Sequence, residues 1–239
     1  MTTPLNELGQ PIGPPLPDWS PPTLPSRAII HGRFCRLEPL DVTHHADDLF
    51  DAYRSDAAGA NWTYLPYGPF STRDDYRAWI AQHCLSTDPL FFAIVDLQQG
   101  QAVGVASYLR IAPAAGSIEV GHLNFSPLLQ RRPAATEAMF LMMQHAFELG
   151  YRRYEWKCDA LNTPSRRAAE RLGFKFEGIF RQAVVYKQRS RDTAWLSVID
   201  SEWPALRTAF GAWLAAENFD TQGCQRRRLH DFMRAGVDA

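Results

Sequence analysis

Residues 134–180 alternate between helical and strand spacing through four consecutive segments, and this alternation constrains the fold more than any other feature. Apolar residues recur at helical intervals through 134–149 and 164–172, and they form strand-like runs through 151–158 and 174–180. Gly150 and Gly173 stand where a helix ends on a left-handed residue. Upstream, Gly32 to Leu40 reads as a strand and Thr43 to Arg54 as a polar amphipathic helix. Thr72 to Cys84 reads as a second helix with Tyr76, Trp79 and Ile80 on one face. Leu90 to Asp96 and Ala102 to Ile111 read as strands about a turn at Leu97–Gln101, and Ser117 to Phe125 as another. A strand near Thr193 to Ile199 and a helix from Pro204 to Ala216 close the series. This order predicts an α+β, α/β-like layered fold around a mixed sheet.

At 239 residues the chain is long enough for one medium domain with appendages. The expected divisions are an arm at 1–27, a domain at 28–202 and a C-terminal helix and tail at 203–239. The arm holds eight prolines (Pro4, Pro11, Pro14, Pro15, Pro17, Pro21, Pro22 and Pro25), which cannot enter a helix or a sheet interior. It is expected to lie extended over the domain or over a second subunit, with Trp19 and Leu24 as anchors, whereas residues 1–10 read rather as a disordered tail. The arm and the terminal helix are reasonable surfaces for a homodimer.

The net charge of −1 argues against a dedicated nucleic-acid binder. No apolar run is long enough to span a bilayer, and the start lacks the basic-then-apolar pattern of a secretory signal, so the expected location is the cytoplasm. Cys35, Cys84, Cys158 and Cys224 form no CxxC pair and read as reduced, mostly buried thiols. His44 and His45 are adjacent and point to different faces, so no metal site is expected.

Chemistry concentrates at two junctions. Gln130-Arg131-Arg132-Pro133-Ala134-Ala135-Thr136-Glu137 lies between a loop and a long helix. Backbone N–H groups and the helix dipole favour an anion at such a place, and two arginines point to phosphate. An ordinary basic helix start is the alternative reading. The second junction is Asn162-Thr163-Pro164-Ser165-Arg166, followed by Gly173-Phe174. Thr163 suits an N-cap and Pro164 the first helical position.

Together the two junctions resemble the GCN5-related N-acetyltransferase (GNAT) superfamily. Its acyl-CoA signature has Gln or Arg, two residues, Gly, one residue, then Gly or Ala, and Gln130 to Ala135 fits this register except at Pro133. The downstream signature is matched by Asn162, Ser165, Gly173 and Phe174. The aromatic segment Trp62–Phe70 and Arg191-Asp192-Thr193 with Trp195 resemble the RimJ/RimL-type branch, which acetylates amino groups. The resemblance spans about residues 30–200 and implies a mixed, mostly antiparallel sheet with a splayed strand pair and helices on both faces.

It also implies acetyl-CoA as co-substrate, with no metal. Gln130, Arg131, Arg132, Ala134, Ala135 and Thr136 would meet the pyrophosphate. Leu123, Asn124 and Phe125 would pair with pantetheine along the splayed strand, where an N–H near Asn124 would suit an oxyanion. Asn162 would hold the pantetheine arm, and Arg166 would also contact the cofactor. Proline at 133 lacks one donor, so CoA binding could be weaker.

An amine with pKa near ~10 must lose a proton before it attacks a thioester. Glu119 falls where several family members carry the base, and His122 is an alternative. Ser165 is the matching acid for the leaving thiolate, with Tyr186 or Tyr108 as alternatives, while Cys158 reads as a packing residue. Trp62, Tyr64 and Tyr67 are expected in the acceptor pocket, for a small-molecule or peptide amine. The implied function is transfer of acetyl to a primary amine by direct attack. A non-catalytic acyl-CoA-binding or regulatory module is the competing reading, and the arginine clusters leave a ribosome- or RNA-associated binder as a third.

Overall fold

The computed structural model describes residues 3–235. Eight strands form one sheet: β1 (Ile30–His31), β2 (Cys35–Pro39), β3 (Leu90–Asp96), β4 (Gln101–Ala112), β5 (Ser117–Phe125), β6 (Arg153–Asp159), β7 (Lys175–Tyr186) and β8 (Arg189–Ile199). Their order is β1-β2-β3-β4-β5-β6-β8-β7, antiparallel throughout except for the parallel pair β5–β6. The helices are α1 (Val42–Arg54), α2 (Arg73–His83), α3 (Pro133–Glu148), α4 (Thr163–Arg171), α5 (Trp203–Leu214) and α6 (Leu229–Ala235). Among the described residues, no helix is long and apolar enough to cross a membrane.

The two-residue period of the strands sorts the side chains into two layers. Phe92, Ile94, Ala106, Tyr108, Ile118, Val120, Trp156 and Leu196 pack on one face with Met139, Met142 and Met143 of α3 and Phe210 and Trp213 of α5. Phe91, Ala93, Val95 and Val105 pack on the other with Leu49 and Tyr53 of α1 and Tyr76 and Ile80 of α2. Burying each such large side chain stabilises the fold by roughly 1.5–3 kcal/mol. The apolar cluster under α1 and α2 ends at β4. Beyond it, the alternation puts Glu119, Glu155, Lys157 and Trp195 of β5, β6 and β8 on that same face.

Four expectations differ from the structure. The strand expected at 32–40 is broken at Gly32–Phe34, because the buried Glu137 carboxylate of α3 accepts from Arg33 N–H (2.7 Å), Phe34 N–H (2.6 Å) and Cys35 N–H (2.8 Å). A Cβ at Gly32 would lie 2.6 Å from that carboxylate, so only glycine fits there. β7 and β8 are longer than expected and join at Lys187-Gln188, both left-handed (φ 46° and 58°). Such a two-residue turn usually carries Asn or Gly, and neither is present to signal it. Leu24 is exposed, while Pro22 is buried and Trp19 packs against Gly116. Finally, α6 follows a loop held by Asn218, whose side chain contacts Trp213 O, Arg227 O and Arg227 N.

The remaining elements match within a few residues, including left-handed Gly150 (φ 96°) and Gly173 (φ 94°) after α3 and α4. Residues 4–12 form a local turn with a Leu5–Pro11 bridge. All four cysteines are unpaired, with Cys224 exposed and the others buried.

Candidate active site

β5 and β6 pair in register only from Ser117–Arg153 to Val120–Trp156, although both strands continue. The divergence begins at a bulge. Val105 of β4 faces Asn124 and Ser107 faces Gly121, so β5 holds an extra residue there, and His122 is left-handed at φ 51°. Backbone groups of Lys157–Asp159 on β6 thereby lose β5 as a neighbour. A cavity of about 480 Å³ opens at the fork.

The cavity is lined by Gly121, His122 and Leu123 of β5, Lys157, Cys158 and Asp159 of β6, and Asn162 and Ser165 of α4. Tyr64, Glu119, Tyr186 and Trp195 also line it. Asn124 and Phe125 lie beyond its wall. The Asn124 side chain is buried with no hydrogen-bond partner among the described residues, and its carbonyl accepts from Tyr53 Oη–H at 2.8 Å. The Phe125 carbonyl accepts from Asn61 and Gln130.

Asn162 Oδ1 accepts from Ser165 N–H (3.1 Å) and caps α4 itself, one residue earlier than Thr163 was expected to. Ser165 Oγ accepts from the Trp156 indole N–H at 3.0 Å. That bond occupies an acceptor site and leaves the serine proton free to be donated. Tyr186 Oη donates to Asp159 Oδ2 at 2.8 Å, and its phenol is pushed up to about 12 by burial and by that carboxylate. Tyr108 is fully buried against α3, where it donates to Met142 O (2.6 Å), so it is removed from the site. Cys158 is buried at the cavity wall, and burial raises its thiol pKa.

Glu119 is 3% exposed and accepts from Arg110 Nη1 with both oxygens at 2.8 Å. Lys157 Nζ lies 2.8 Å from Glu119 Oε2, 2.7 Å from Glu155 Oε2 and 3.7 Å from the Trp195 ring centre. His122 Nδ1 is 3.1 Å from Tyr67 Oη. Burial, with Arg110 adding to it, lowers the imidazole to about 4, so it is neutral at ordinary pH.

The aromatic segment divides. Tyr64 reaches over the cavity to Leu161 O at 3.3 Å. Tyr67 stands behind His122 rather than on the wall. Trp62 is 5% exposed and packs with Tyr53, Phe70 and Tyr76 in the core, and Gly68 is glycine because a Cβ would lie 2.4 Å from the indole. The Trp62 carbonyl accepts from Lys187 Nζ at 2.7 Å.

At the other junction, Arg131 is left-handed (φ 62°), Arg132 is the extended N-cap and Pro133 is the first residue of α3. Pro133 thus occupies a position whose N–H has no intrahelical partner in any case. The N–H groups of Arg131 and Ala134 have no partner among the described residues. Ala135 N–H bonds Arg132 O, and buried Thr136 accepts from Arg171 Nη2 at 3.1 Å. Gln130 Nε2 turns inward to Asn61 Oδ1 (2.9 Å), joining this loop to the cavity rim. Arg166 lies outside the cavity, stacked on Phe176 at 5.1 Å.

The forked strands, the open N-terminus of α3 and the arginines beside it fit an extended thioester cofactor with a phosphate-bearing end. Sequence reasoning missed Arg110, Lys157, Asp159 and Arg171. Arg171 lies at the end of α4 and joins the α3 start only through the fold. Lys157 and Asp159 sit beside Cys158 in strand register, but only the fork gives them a role.

The chain matches the acetyltransferase (GNAT) domain family over residues 35–175. A GCN5-related N-acetyltransferase from Brucella melitensis is 52% identical and superposes with a TM-score of 0.89, covering 92% of this chain and all of that one. A probable GNAT-family acetyltransferase from Chromobacterium violaceum ATCC 12472 is 43% identical, with a TM-score of 0.76 over 82% of this chain and 98% of that one. The fold is also shared, at 20% identity and a TM-score of 0.58 over 72% and 98% of the two chains, with RimL, a ribosomal L7/L12 α-N-protein acetyltransferase solved with coenzyme A. This chain therefore belongs to the GNAT family, as an acyl-CoA-dependent N-acetyltransferase that uses acetyl-CoA.

Proposed function

We propose that the chain acetylates a primary amine by direct attack, as a relative of the RimJ/RimL-type branch. One observation carries the reading: a single cavity holds the strand fork, the Ser165 hydroxyl and the Glu119 carboxylate together. Acetyl-CoA supplies an acetyl thioester there. The N–H groups of Arg131 and Ala134, with the Arg131 and Arg132 side chains, bind its phosphates, and β5 at His122 and Leu123 aligns its arm.

Glu119 takes the proton of the acceptor ammonium. It lies on the face away from α3, and Arg110, whose side chain is 58% exposed, is the partner free to move when an ammonium arrives. Lys157, 8% exposed, stays. The His122 ring instead meets Tyr67 Oη through Nδ1 at 3.1 Å. Ser165 gives its proton to the departing thiolate, while Trp156 fixes its oxygen. Cys158 stays a wall residue.

Calorimetric titration with acetyl-CoA, paired with thiol release on adding candidate amines, tests the proposal. Binding followed by amine-dependent thiol release is expected. Tight binding with no release for any amine would instead support a non-catalytic acyl-CoA-binding module.

A further inference from the structure

Arg110 is aimed by a device the rest of β4 does not need. Tyr108 points to the α3 layer and Leu109 lines the cavity, so strand alternation would turn residue 110 back toward α3. Instead Arg110 is left-handed (φ 47°) in a bulge where the β4–β5 register shifts, and its side chain joins Leu109 in the cavity wall. Asp88 pins the bulge, its oxygens accepting from Arg110 N–H (3.0 Å) and Ile111 N–H (3.1 Å). A left-handed backbone is unfavourable for a non-glycine residue, so the surroundings hold this orientation against local preference.

The charges in the cavity are unevenly engaged. Glu119 is bonded to Arg110 and Lys157, while Asp159 accepts from Leu161 N–H and Tyr186 Oη. No lining carboxylate oxygen is without a donor. The guanidiniums are different. Among the described residues, Arg110 engages only Nη1, and Arg191 engages only Nε, with Thr193 Oγ1. Around them stand Leu65, Pro66, Leu109, Val184 and Phe180, the last stacked on Trp195 at 4.3 Å and still 54% exposed.

We infer that the acceptor is a zwitterionic monoamine with an apolar or aromatic group, of the apolar α-amino acid class, and that Arg110 recognises its carboxylate. The inference rests on the acetyltransferase reading and adds the acceptor to it. An ammonium that replaces Arg110 on Glu119 displaces a guanidinium, and a carboxylate on the same molecule gives that guanidinium a new partner. Both charges of the protein stay paired. A polyamine or aminoglycoside offers no carboxylate to Arg110 and meets Lys157 and Arg191 besides. The apolar group lies on Phe180 and Val184.

The experiment compares L-phenylalanine, L-phenylalaninamide, spermidine and kanamycin, both as acceptors at saturating acetyl-CoA and as ligands of the CoA-bound protein by calorimetry. L-Phenylalanine is expected to exceed its amide at least tenfold, and spermidine and kanamycin at least a hundredfold, in kcat/KM and in affinity. Arg110→Gln and Arg110→Lys should both narrow the acid-to-amide ratio toward one, since lysine keeps the charge and loses the fork. Preference for a polycation, or equal use of acid and amide by the unaltered protein, overturns the inference. Failure of L-phenylalanine to bind overturns it too. Selective binding of L-phenylalanine without turnover upholds the site and counts against the transfer reaction alone.

Discussion

The indole N–H of Trp156 points at Ser165 Oγ from 3.0 Å, so a β6 side chain fixes the hydroxyl of the first turn of α4. Ser165→Ala removes a proton donor and should lower kcat about 10²-fold, the lower end for a positioned acid. Acetyl-CoA affinity should change less than about threefold. Trp156→Phe keeps the hydroxyl but frees its orientation, and a smaller loss of kcat is expected. Single-turnover rates and calorimetry separate the two effects.

Glu119→Gln leaves the acceptor amine without its carboxylate. We expect kcat/KM to fall by about 10² at pH 7 and by progressively less as pH rises, because a growing fraction of the amine is already neutral. Rate profiles between pH 6.5 and 10 test this. A profile unchanged in height and shape would remove Glu119 from the mechanism.

The junction of α3 separates charge from backbone. Replacing Arg131 and Arg132 together with Gln should weaken acetyl-CoA binding about tenfold or more and reduce its salt dependence, while kcat at saturation holds. Pro133→Gly should leave affinity within about threefold and lower stability by about 1 kcal/mol, since proline already suits the first helical position and restricts the unfolded chain. Calorimetry at two salt concentrations and thermal melts check both statements.

His122 links pH to stability. Its pKa is near 4 in the fold, held down by burial, against about 6.5 unfolded. The unfolded chain therefore binds more protons between these values, so stability falls as pH drops from 6.5 to 4. At about 1.4 kcal/mol per unit the full effect is about 3 kcal/mol. His122→Gln should flatten this dependence in denaturant titrations at pH 4.5, 5.5 and 7.

Much of the fold was legible because its signals are local. Gly150 and Gly173 mark helix ends by conformation alone, and strand alternation at Ile118–Val120 shows in a single segment. What stayed hidden depends on distant partners. Glu137 reads as an ordinary helical glutamate, yet it holds three N–H groups at residues 33–35. Trp62 has the composition of a pocket residue and is buried because Tyr53 and Tyr76 arrive from two other helices. The Arg110 bulge has no glycine to announce it and is made by Asp88, far back in the chain.

The most direct test of amine acetylation by direct attack is mass spectrometry of the protein with acetyl-CoA, before and after an acceptor amine is added. The account predicts unmodified protein beforehand, Cys158 included, and afterwards N-acetylated amine in equal amount to free coenzyme A. Acetylated Cys158 that forms without acceptor and passes its acetyl group to the amine would contradict it, as would no N-acetylated product for any amine.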